Sequence, residues 1–373
     1  MNLVINLLSF EREKSYGFQE YIFNLLDDFA VSRDIIKANS IILLIRKKEL
    51  IFFKKRYCGV FQYYAYEKKG LLDYFIFESR IINNLYLSSN DVLLFPGNTM
   101  PIINSRAKKI LVIHDLLFRR KDLFTQSIYY FIFRLHKYIF VPYSIKHADI
   151  VIGISRFTKK EIIEAYNIDP SKVLAIYNYF NFDKYNDEIT DKSNISGKYI
   201  LSIGAKYKHK NHKTILKAFE LFNRKHKDFL LVLVGALSPQ ATKYYSCMND
   251  DVRAKVIIRN RLTNSDIKRL YEKASLYVSA SLYEGLGMPV VEALYFGLPT
   301  LLSDIDIHHE VSLDNAKFFS PMSYAELSAL FENCLIESKN IDFDFSFRLE
   351  AMYSKENTSQ KYIEEINKLF KRL

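Results

Sequence analysis

Short apolar runs alternate with helical patterns along most of this chain of 373 residues. The runs have the length of single buried strands, and the stretches between them repeat apolar residues at intervals of three and four. This alternation predicts an α/β protein with parallel sheets covered by helices on both faces. The predicted strands are Asn2–Leu8, Ile41–Ile45, Asp91–Phe95, Lys109–Ile113 and Ile150–Ile152, and in a second series Lys172–Ile176, Tyr199–Ser202, Phe229–Val234, Val256–Arg259, Leu276–Ser279 and Pro299–Leu302. The predicted helices are Gln19–Phe29, Lys159–Tyr166, Lys213–Lys225, Asn264–Lys273, Pro289–Phe296 and Asn357–Leu373.

One polar stretch interrupts the alternation. Residues 181–198 are rich in Asp, Asn and Lys and end in Ser196-Gly197, which is typical of an interdomain linker. We therefore predict a Rossmann-like N-terminal domain over residues 1–180 and a Rossmann-like C-terminal domain over residues 199–356.

Composition and charge narrow the class of protein. Hydrophobic residues make up 49% and charged residues 25%, which is a globular composition. The net charge of +11 suits an anionic partner. Its basic clusters are short and scattered, and neither a zinc-finger spacing nor an RNA-binding signature accompanies them, so nucleic acid is not the expected partner. Three widely spaced cysteines indicate a reducing compartment, and we expect a cytoplasmic location.

No membrane-spanning helix or signal peptide is expected. No stretch reaches the ~18 uncharged apolar residues that a spanning helix needs. The apolar N-terminus has no basic lead and no small-residue cleavage site, so we interpret it as a first buried strand.

The segment 279–311, SASLYEGLGMPVVEALYFGLPTLLSDIDIHHEV, carries the most chemical information. A strand is followed by a loop with Gly285 and Gly287, and a helix begins at Pro289, a residue favoured in a first helical turn. Gly297 fits a left-handed position at the end of that helix. Backbone N–H groups at such a helix N-terminus form a site for phosphate.

Two glutamates flank this loop. Glu284 precedes the glycines, and Glu292 lies one turn into the helix with its side chain leaning back towards the N-terminus. Carboxylates beside a phosphate site suit hydroxyl groups, and the combination describes a nucleotide-sugar pocket. The alternative is a strand–turn–helix unit with surface glutamates, which a Gly-x-Gly motif alone would favour.

The segment resembles the signature of glycosyltransferase family four, the retaining "glycosyl group 1" enzymes of the GT-B fold. The resemblance implies two Rossmann-like domains whose parallel sheets face an interdomain cleft. It implies that Glu284 lies beside the donor sugar, that Gly285, Leu286 and Gly287 contact sugar and diphosphate, and that Glu292 holds the ribose.

Two further motifs match the same family. Gly204, Lys210 and Asn211 fit a glycine followed by a Lys-Asn or Lys-Gly pair that neutralises the donor diphosphate. The basic residue often found after the glycine is absent, and Lys206 is its candidate substitute. His114, at the end of a buried strand, matches a histidine that contacts the donor sugar.

The resemblance also bears on the domain ends and on small sites. It implies that the C-terminal helix, residues 357–373, crosses back onto the N-terminal domain, which would bind the acceptor. Ser155 matches a family serine, but an N-cap is the simpler interpretation. His308 and His309 are adjacent and lack metal-ligand spacing, so we expect no metal. We expect no cofactor besides the nucleoside-diphosphate sugar, which is a substrate.

The resulting hypothesis is the transfer of a hexose, with mannose from GDP-mannose as a candidate, to a hydroxyl of a glycan or lipid-linked acceptor. The acceptor class that we expect is bacterial surface polysaccharide, such as O-antigen or capsule. The aromatic stretch Tyr129–Val141 suits either an anionic membrane interface at the inner face of the cytoplasmic membrane or a core helix. Two other functions stay open, a GT-B-like sugar-nucleotide epimerase and a catalytically silent partner subunit.

Overall fold

A computed structural model describes residues 1–11, 16–67, 73–123, 128–180, 193–204, 206–336 and 343–371. The chain divides into two compact units. The first unit comprises residues 1–119, 127–179 and 353–373, and the second comprises residues 120–126 and 180–352. Most of the predicted linker, residues 181–192, lies outside the described residues.

The described residues form parallel strands and helices in alternation. The strands are β1 (Asn2–Asn6), β2 (Ser40–Arg46), β3 (Gln62–Tyr66), β4 (Val92–Phe95), β5 (Lys108–Ile113), β6 (Ile150–Gly153), β7 (Val173–Ala175), β8 (Lys198–Ile203), β9 (Phe229–Val234), β10 (Val256–Arg259), β11 (Leu276–Ser279), β12 (Thr300–Ser303) and β13 (Lys317–Phe319). The helices are α1 (Tyr16–Val31), α2 (Leu50–Arg56), α3 (Asp73–Asn83), α4 (Ile128–His147), α5 (Arg156–Tyr166), α6 (His212–Phe222), α7 (Pro239–Ser246), α8 (Asp250–Arg253), α9 (Asn264–Lys273), α10 (Met288–Tyr295), α11 (Asp306–Ser312), α12 (Tyr324–Ile336), α13 (Phe343–Tyr353) and α14 (Lys355–Lys371).

The first unit contains a parallel sheet in the order β3-β2-β1-β4-β5-β6-β7. Strands β4 and β6 are buried along their whole length, which explains their continuous apolar sequences. Strand β3 has no predicted counterpart, because it is an edge strand with partly exposed Gln and Tyr residues and lacks a buried apolar run. The strand predicted at 172–176 as the start of a second series is β7, which pairs with β6 in this first sheet.

The second unit contains a parallel sheet in the order β10-β9-β8-β11-β12-β13. Its core is built by apolar side chains of these strands and of α6, among them Ile215, Phe219 and Leu276, which are fully buried. The chain proceeds outwards from β8 to β10 and then returns to the other side of β8 with β11. The order of strands therefore reverses between β8 and β11, and this is where parallel sheets bind ligands, beyond the carboxyl ends of the strands.

The C-terminal helix α14 belongs to the first unit. The Thr358 hydroxyl donates to the Tyr177 carbonyl at 2.9 Å, and the hydroxyls of Tyr362 and Tyr21 lie 2.9 Å apart. Ile366 is fully buried, as expected for the apolar face of an amphipathic helix. These contacts hold the end of the chain against α1 and the residues that follow β7.

A buried carboxylate lies beneath this helix. Asp28 is 1% exposed, and its Oδ1 lies 3.4 Å from Lys355 Nζ and accepts a hydrogen bond from the Tyr179 hydroxyl at 3.2 Å. Burial raises the pKa of Asp28 from 3.8 to about 6, although hydrogen bonds and the charge of Lys355 oppose the rise. Folding therefore makes protonation of Asp28 easier than in the unfolded chain. The stability that this site contributes is fully present below pH 3.8 and is lost as the pH rises through about 6, where the buried carboxyl ionises.

Replacing Asp28 with Asn should therefore stabilise the protein at high pH. We expect Asp28→Asn to raise the stability at pH 8 by up to about 3 kcal/mol, because the variant removes a buried charge and keeps the hydrogen-bond acceptor. Near pH 4 the two proteins should melt together. Thermal unfolding at both pH values measures the difference, and Asp34→Asn, at an exposed aspartate, is the matched control. An equal effect of Asp28→Asn at both pH values would contradict the assignment.

Candidate functional site

The sequence-predicted residues of the second unit gather at the reversal point of its sheet. Gly204 and Lys210 follow β8, and Glu284 follows β11, the neighbouring strand. Lys210 Nζ and Glu284 Oε1 are 2.5 Å apart although 74 residues separate them in the chain. The topology thus brings together two motifs that lie far apart in the sequence.

The loop after β11 has the backbone that its glycines and proline predict. Gly287 is the N-cap of α10 with φ of 90°, a left-handed conformation that glycine adopts without strain. Pro289 occupies the first turn of the helix, and Gly297, just beyond its end, has φ of 66°. Both predictions are confirmed. The N-terminal N–H groups of α10 consequently lie within a few residues of Glu284.

Glu284 and Lys210 form a largely buried ion pair. Their side chains are 13% and 16% exposed, and the Ser281 hydroxyl donates a second hydrogen bond to Glu284 Oε1 at 2.7 Å. Among the described residues, none donates a hydrogen bond to the other carboxylate oxygen, Oε2. The pair therefore leaves one acceptor atom of Glu284 for a ligand.

Electrostatics keeps Glu284 ionised. Burial by itself would raise its pKa, but the positive charges of Lys210 and His209 and the hydrogen bonds from Lys210 and Ser281 outweigh burial and lower the pKa to about 2. The stability that these interactions supply is present above the ordinary pKa of 4.5 and is lost only as the pH falls through about 2. At neutral pH the site thus holds a permanent carboxylate and a cation that is aligned with it.

Two residues, Asn211 and Gly204, allow the conformation and the packing of the loop after β8. Asn211 has φ of 52°, and its side chain donates to the Pro321 carbonyl at 2.8 Å. The left-handed region favours glycine and asparagine, which gives a backbone reason for a Lys-Asn or Lys-Gly pair here. A Cβ atom on Gly204 would lie 3.0 Å from His212 Nε2 and 3.4 Å from the stem of Lys210. Gly204 therefore allows the lysine to pack closely against the strand end.

The other predicted residues occupy different surroundings. Lys206 is exposed, and its neighbour Ala205 lies outside the described residues. Leu286 is 3% exposed and packs in the protein interior, and Gly285 lies beside it in the same loop. Glu292 is 7% exposed and accepts a hydrogen bond from the Tyr271 hydroxyl at 2.8 Å.

Some residues of the site escaped the sequence analysis. Tyr271 lies on α9, and its hydroxyl approaches both Glu292 and the Pro289 carbonyl, the latter at 3.1 Å. No local motif signals a tyrosine that reaches another helix. Ser281 lies three residues before Glu284 and has the spacing of a loop-closing hydrogen bond, which is the one signal that was available.

A buried histidine supports the Ser281 loop through hydrogen bonds of Ser303. The Ser303 hydroxyl, at the end of β12, donates to the Ser281 carbonyl at 2.5 Å. His308, which is fully buried, donates from Nδ1 to the Ser303 carbonyl at 2.8 Å. Burial lowers the pKa of His308 to about 4 against the opposing effects of the Ser303 carbonyl and Glu284, so the ring is neutral at pH 7. His308 thus holds Ser303, and the Ser303 hydroxyl connects the end of β12 to the loop after β11.

His114 belongs to the first unit. It follows β5, and its Nε2 donates to the Pro96 carbonyl at 2.7 Å, while Tyr21 packs its ring edge against the imidazole at a centroid distance of 4.7 Å. Burial lowers the pKa of His114 to about 4. The ring is therefore neutral at pH 7, and because Nε2 carries the proton, Nδ1 is a hydrogen-bond acceptor.

Ser155 has the structural role that its sequence position favours. Its hydroxyl oxygen accepts a hydrogen bond from the Thr158 N–H at the start of α5, which confirms the N-cap. Gly17 lies exposed in the first turn of α1.

Breaking the Lys210–Glu284 pair should show how strongly the two side chains depend on each other for stability. We expect Lys210→Met and Glu284→Gln each to destabilise the protein by about 3 kcal/mol, because each leaves a buried charge without its partner. The double variant should be less destabilised than the sum of the two. Chemical denaturation measures the cycle, and the exposed pair Lys198–Asp228, at 3.7 Å, is the control with an expected coupling below about 1 kcal/mol. Additive effects at Lys210 and Glu284 would contradict a direct ion pair.

Part of the chain that contains this site is similar to a known family. Residues 186–341 match the family model of the glycosyl transferases group 1. The chain is 26% identical over 226 residues to the O-antigen chain mannosyltransferase RfbU of Salmonella typhimurium, covering 60% of this chain and 59% of that protein. It is 25% identical over 252 residues to the serotype-specific mannosyltransferase WbdA of Escherichia coli, covering 64% of this chain and 30% of that protein. The chain thus spans less than two thirds of the length of these relatives.

Solved structures give the fold. A glycosyltransferase from Rickettsia africae has a TM-score of 0.71 at 16% identity, covering 100% of this chain and 99% of that chain. HepE from Anabaena, solved with UDP and glucose, has a TM-score of 0.67 at 14% identity, covering 98% of this chain and 99% of that chain. The fold is GT-B, as the sequence predicted. Over residues 186–341, the chain is similar to the glycosyl transferases group 1.

Proposed function

We propose that this protein is a hexosyltransferase that takes its donor sugar from a nucleoside diphosphate. The observation that carries the proposal is the Lys210–Glu284 pair at the reversal point of the second sheet, beside the N-terminus of α10. A cation and backbone N–H groups suit a diphosphate, and a permanent carboxylate with one available oxygen suits a sugar hydroxyl.

In the proposed reaction the bond between the anomeric carbon and the diphosphate oxygen breaks. The leaving group gains negative charge, which the Lys210 ammonium and the N–H groups at the start of α10 stabilise. Because Glu284 already holds Lys210 in place, little reorganisation is needed when the charge develops. The acceptor oxygen then bonds to the anomeric carbon while its proton passes to the leaving diphosphate, and we propose retention of configuration with no protein nucleophile.

The remaining predicted residues receive roles in the same scheme. Glu292, held by the Tyr271 hydroxyl, would bind the ribose, while Gly285, Leu286 and Gly287 would contact the sugar and the diphosphate. His114, neutral with an acceptor at Nδ1, is suited to accept a hydrogen bond from a sugar hydroxyl. Gly204 and Lys206 would complete the diphosphate side.

Mannose is the donor sugar that we propose, carried by GDP, with a glycan or lipid-linked acceptor of O-antigen biosynthesis. Support comes from the relatives, since RfbU is named as an O-antigen chain mannosyltransferase and WbdA as a serotype-specific mannosyltransferase. A lipid-linked acceptor would bring the enzyme to a membrane surface, and we propose peripheral association with an anionic one. No described helix is both long and apolar enough to cross a bilayer.

Donor binding can be tested by thermal shift with GDP-mannose, UDP-N-acetylglucosamine, UDP-glucose, UDP-galactose and dTDP-rhamnose. We expect one donor, GDP-mannose, to stabilise the protein by about 2.7 kcal/mol at 100 times its dissociation constant. Lys210→Ala and Glu292→Ala should abolish that shift, whereas Lys213→Ala, at an exposed lysine of α6, should keep it.

Product analysis then separates the proposal from the other functions. Donor with a lipid-linked acceptor should yield GDP and an extended acceptor. Conversion of the donor to another sugar nucleotide without an acceptor would replace the proposal with an epimerase. The absence of a shift with every donor, in a folded sample, would favour a silent partner subunit.

Transfer should not require a divalent cation. We propose that Lys210 and the N-terminus of α10 supply the charge stabilisation that a metal gives elsewhere, so millimolar EDTA should leave the rate of GDP release unchanged. Lys210→Met should lower that rate by about 100-fold or more, which is the magnitude for loss of one donor to a developing anion. Inhibition by EDTA that Mg²⁺ or Mn²⁺ reverses would overturn this part of the proposal.

A further inference from the structure

Helix α4 presents large apolar side chains to the solvent. Phe131 is 61% exposed, Ile132 53%, Leu135 50%, Tyr138 37% and Ile139 56%. These five residues are called the α4 stripe below. Six of the eighteen large hydrophobic residues found exposed in the described chain lie between positions 131 and 139, which is a concentration rather than a scatter.

The stripe follows one face of the helix. Its members occupy positions i, i+1, i+4, i+7 and i+8, and at 3.6 residues per turn they fall within an arc of roughly 120°. Side chains on the other side, such as Arg134 and Lys137, are partly buried. Phe133, on the opposite side, is also exposed, at 38%, so five of the six exposed apolar side chains of the helix lie on one face.

The C-terminal half of the same helix is anchored in the first unit. Val141 and Ile145 are 0% and 2% exposed, and the Ser144 hydroxyl accepts a hydrogen bond from the Met100 N–H at 2.8 Å. Arg134 donates to the Phe118 carbonyl at 3.0 Å. The contacts fix the orientation of the helix, so the stripe stays on the outside. The sequence left a core helix and an interfacial helix open, and the exposure of the stripe excludes a core position for it.

The charge of this region has one sign. No Asp or Glu occurs from Leu123 to Ala148, whereas Arg134, Lys137 and Lys146 do, within a chain of net charge +11. Lys146 is exposed near the end of the helix. An apolar face with aromatic residues and cations, and without acids, is the composition of helices that lie in an anionic membrane interface.

We propose that the α4 stripe docks the protein on an anionic lipid surface, with the helix lying in the plane of the interface. This inference rests on the proposed peripheral association with a membrane, and it names the surface of the protein that would make the contact. An anionic bilayer accounts for both features of the region, because acyl chains accept the stripe and lipid headgroups attract the exposed Lys146 and the net positive charge of the chain. A second copy of this chain would share the positive charge and be repelled.

Vesicle cosedimentation tests the surface without donor or acceptor. We expect the wild-type chain to bind phosphatidylcholine vesicles that contain phosphatidylglycerol, and to bind pure phosphatidylcholine vesicles much more weakly. The triple variant Phe131→Ser/Ile132→Ser/Ile139→Ser should bind the anionic vesicles at least about tenfold more weakly, because three apolar side chains no longer enter the interface. High salt should weaken the wild-type binding.

A control variant removes apolar groups elsewhere in the first unit that are even more exposed than those of the stripe. Val31, Ile35 and Ile51 are 77%, 65% and 82% exposed, and Val31→Ser/Ile35→Ser/Ile51→Ser should bind like the wild type. Donor-induced thermal shifts should be equal in all three proteins, so failure of docking and failure of the glycosyltransferase proposal are distinguishable. Lack of wild-type binding, equal loss in both variants, or a wild-type dimer that only the α4 variant dissociates would overturn the proposal.

Discussion

The ion pair between Lys210 and Glu284 is the interaction on which the candidate site of the second unit depends. It joins the loops that follow two neighbouring strands, β8 and β11, at the place where the order of the sheet reverses. A carboxylate buried without that cation would tend to take up a proton, and a buried ammonium without the carboxylate would tend to lose one. The pair therefore sets both the charge and the geometry of the site before any ligand arrives.

Several neutral groups support this pair. Ser281 bonds to the same oxygen of Glu284 as Lys210, and Ser303 and His308 hold the Ser281 backbone against the end of β12. Burial keeps His308 uncharged, so it braces the loop without competing with Lys210 for the carboxylate. A network of this kind restricts Glu284 to one orientation, which is what preorganised stabilisation of a leaving group requires.

The two units share an architecture and differ in what they expose. In both sheets the first strand has the second on one side and the fourth on the other, the order of the dinucleotide-binding fold. The second unit presents the ion pair and the start of α10. The first unit presents a neutral histidine, His114, and the α4 stripe. A division between donor chemistry and attachment to a lipid surface would follow from these surfaces, because each is built by local elements of its own unit.

The sequence predicted most of the fold and singled out Lys210 and Glu284, which the second sheet brings together. Apolar runs predicted the interior strands, because a strand that is buried on both faces contains few polar residues. The edge strand β3 lacks such a run, and the apolar run of β7 did not indicate which sheet it joins. Glycine, asparagine and proline at 287, 211 and 289 determined the backbone of the two loops through their allowed φ angles. Only the tertiary structure decided that Lys210 and Glu284 pair, that Tyr271 and His308 support the site, and that the α4 stripe faces outwards. Each of these depends on contacts between distant segments or on which side of a helix the rest of the chain covers. The local spacing of apolar residues indicates neither of these.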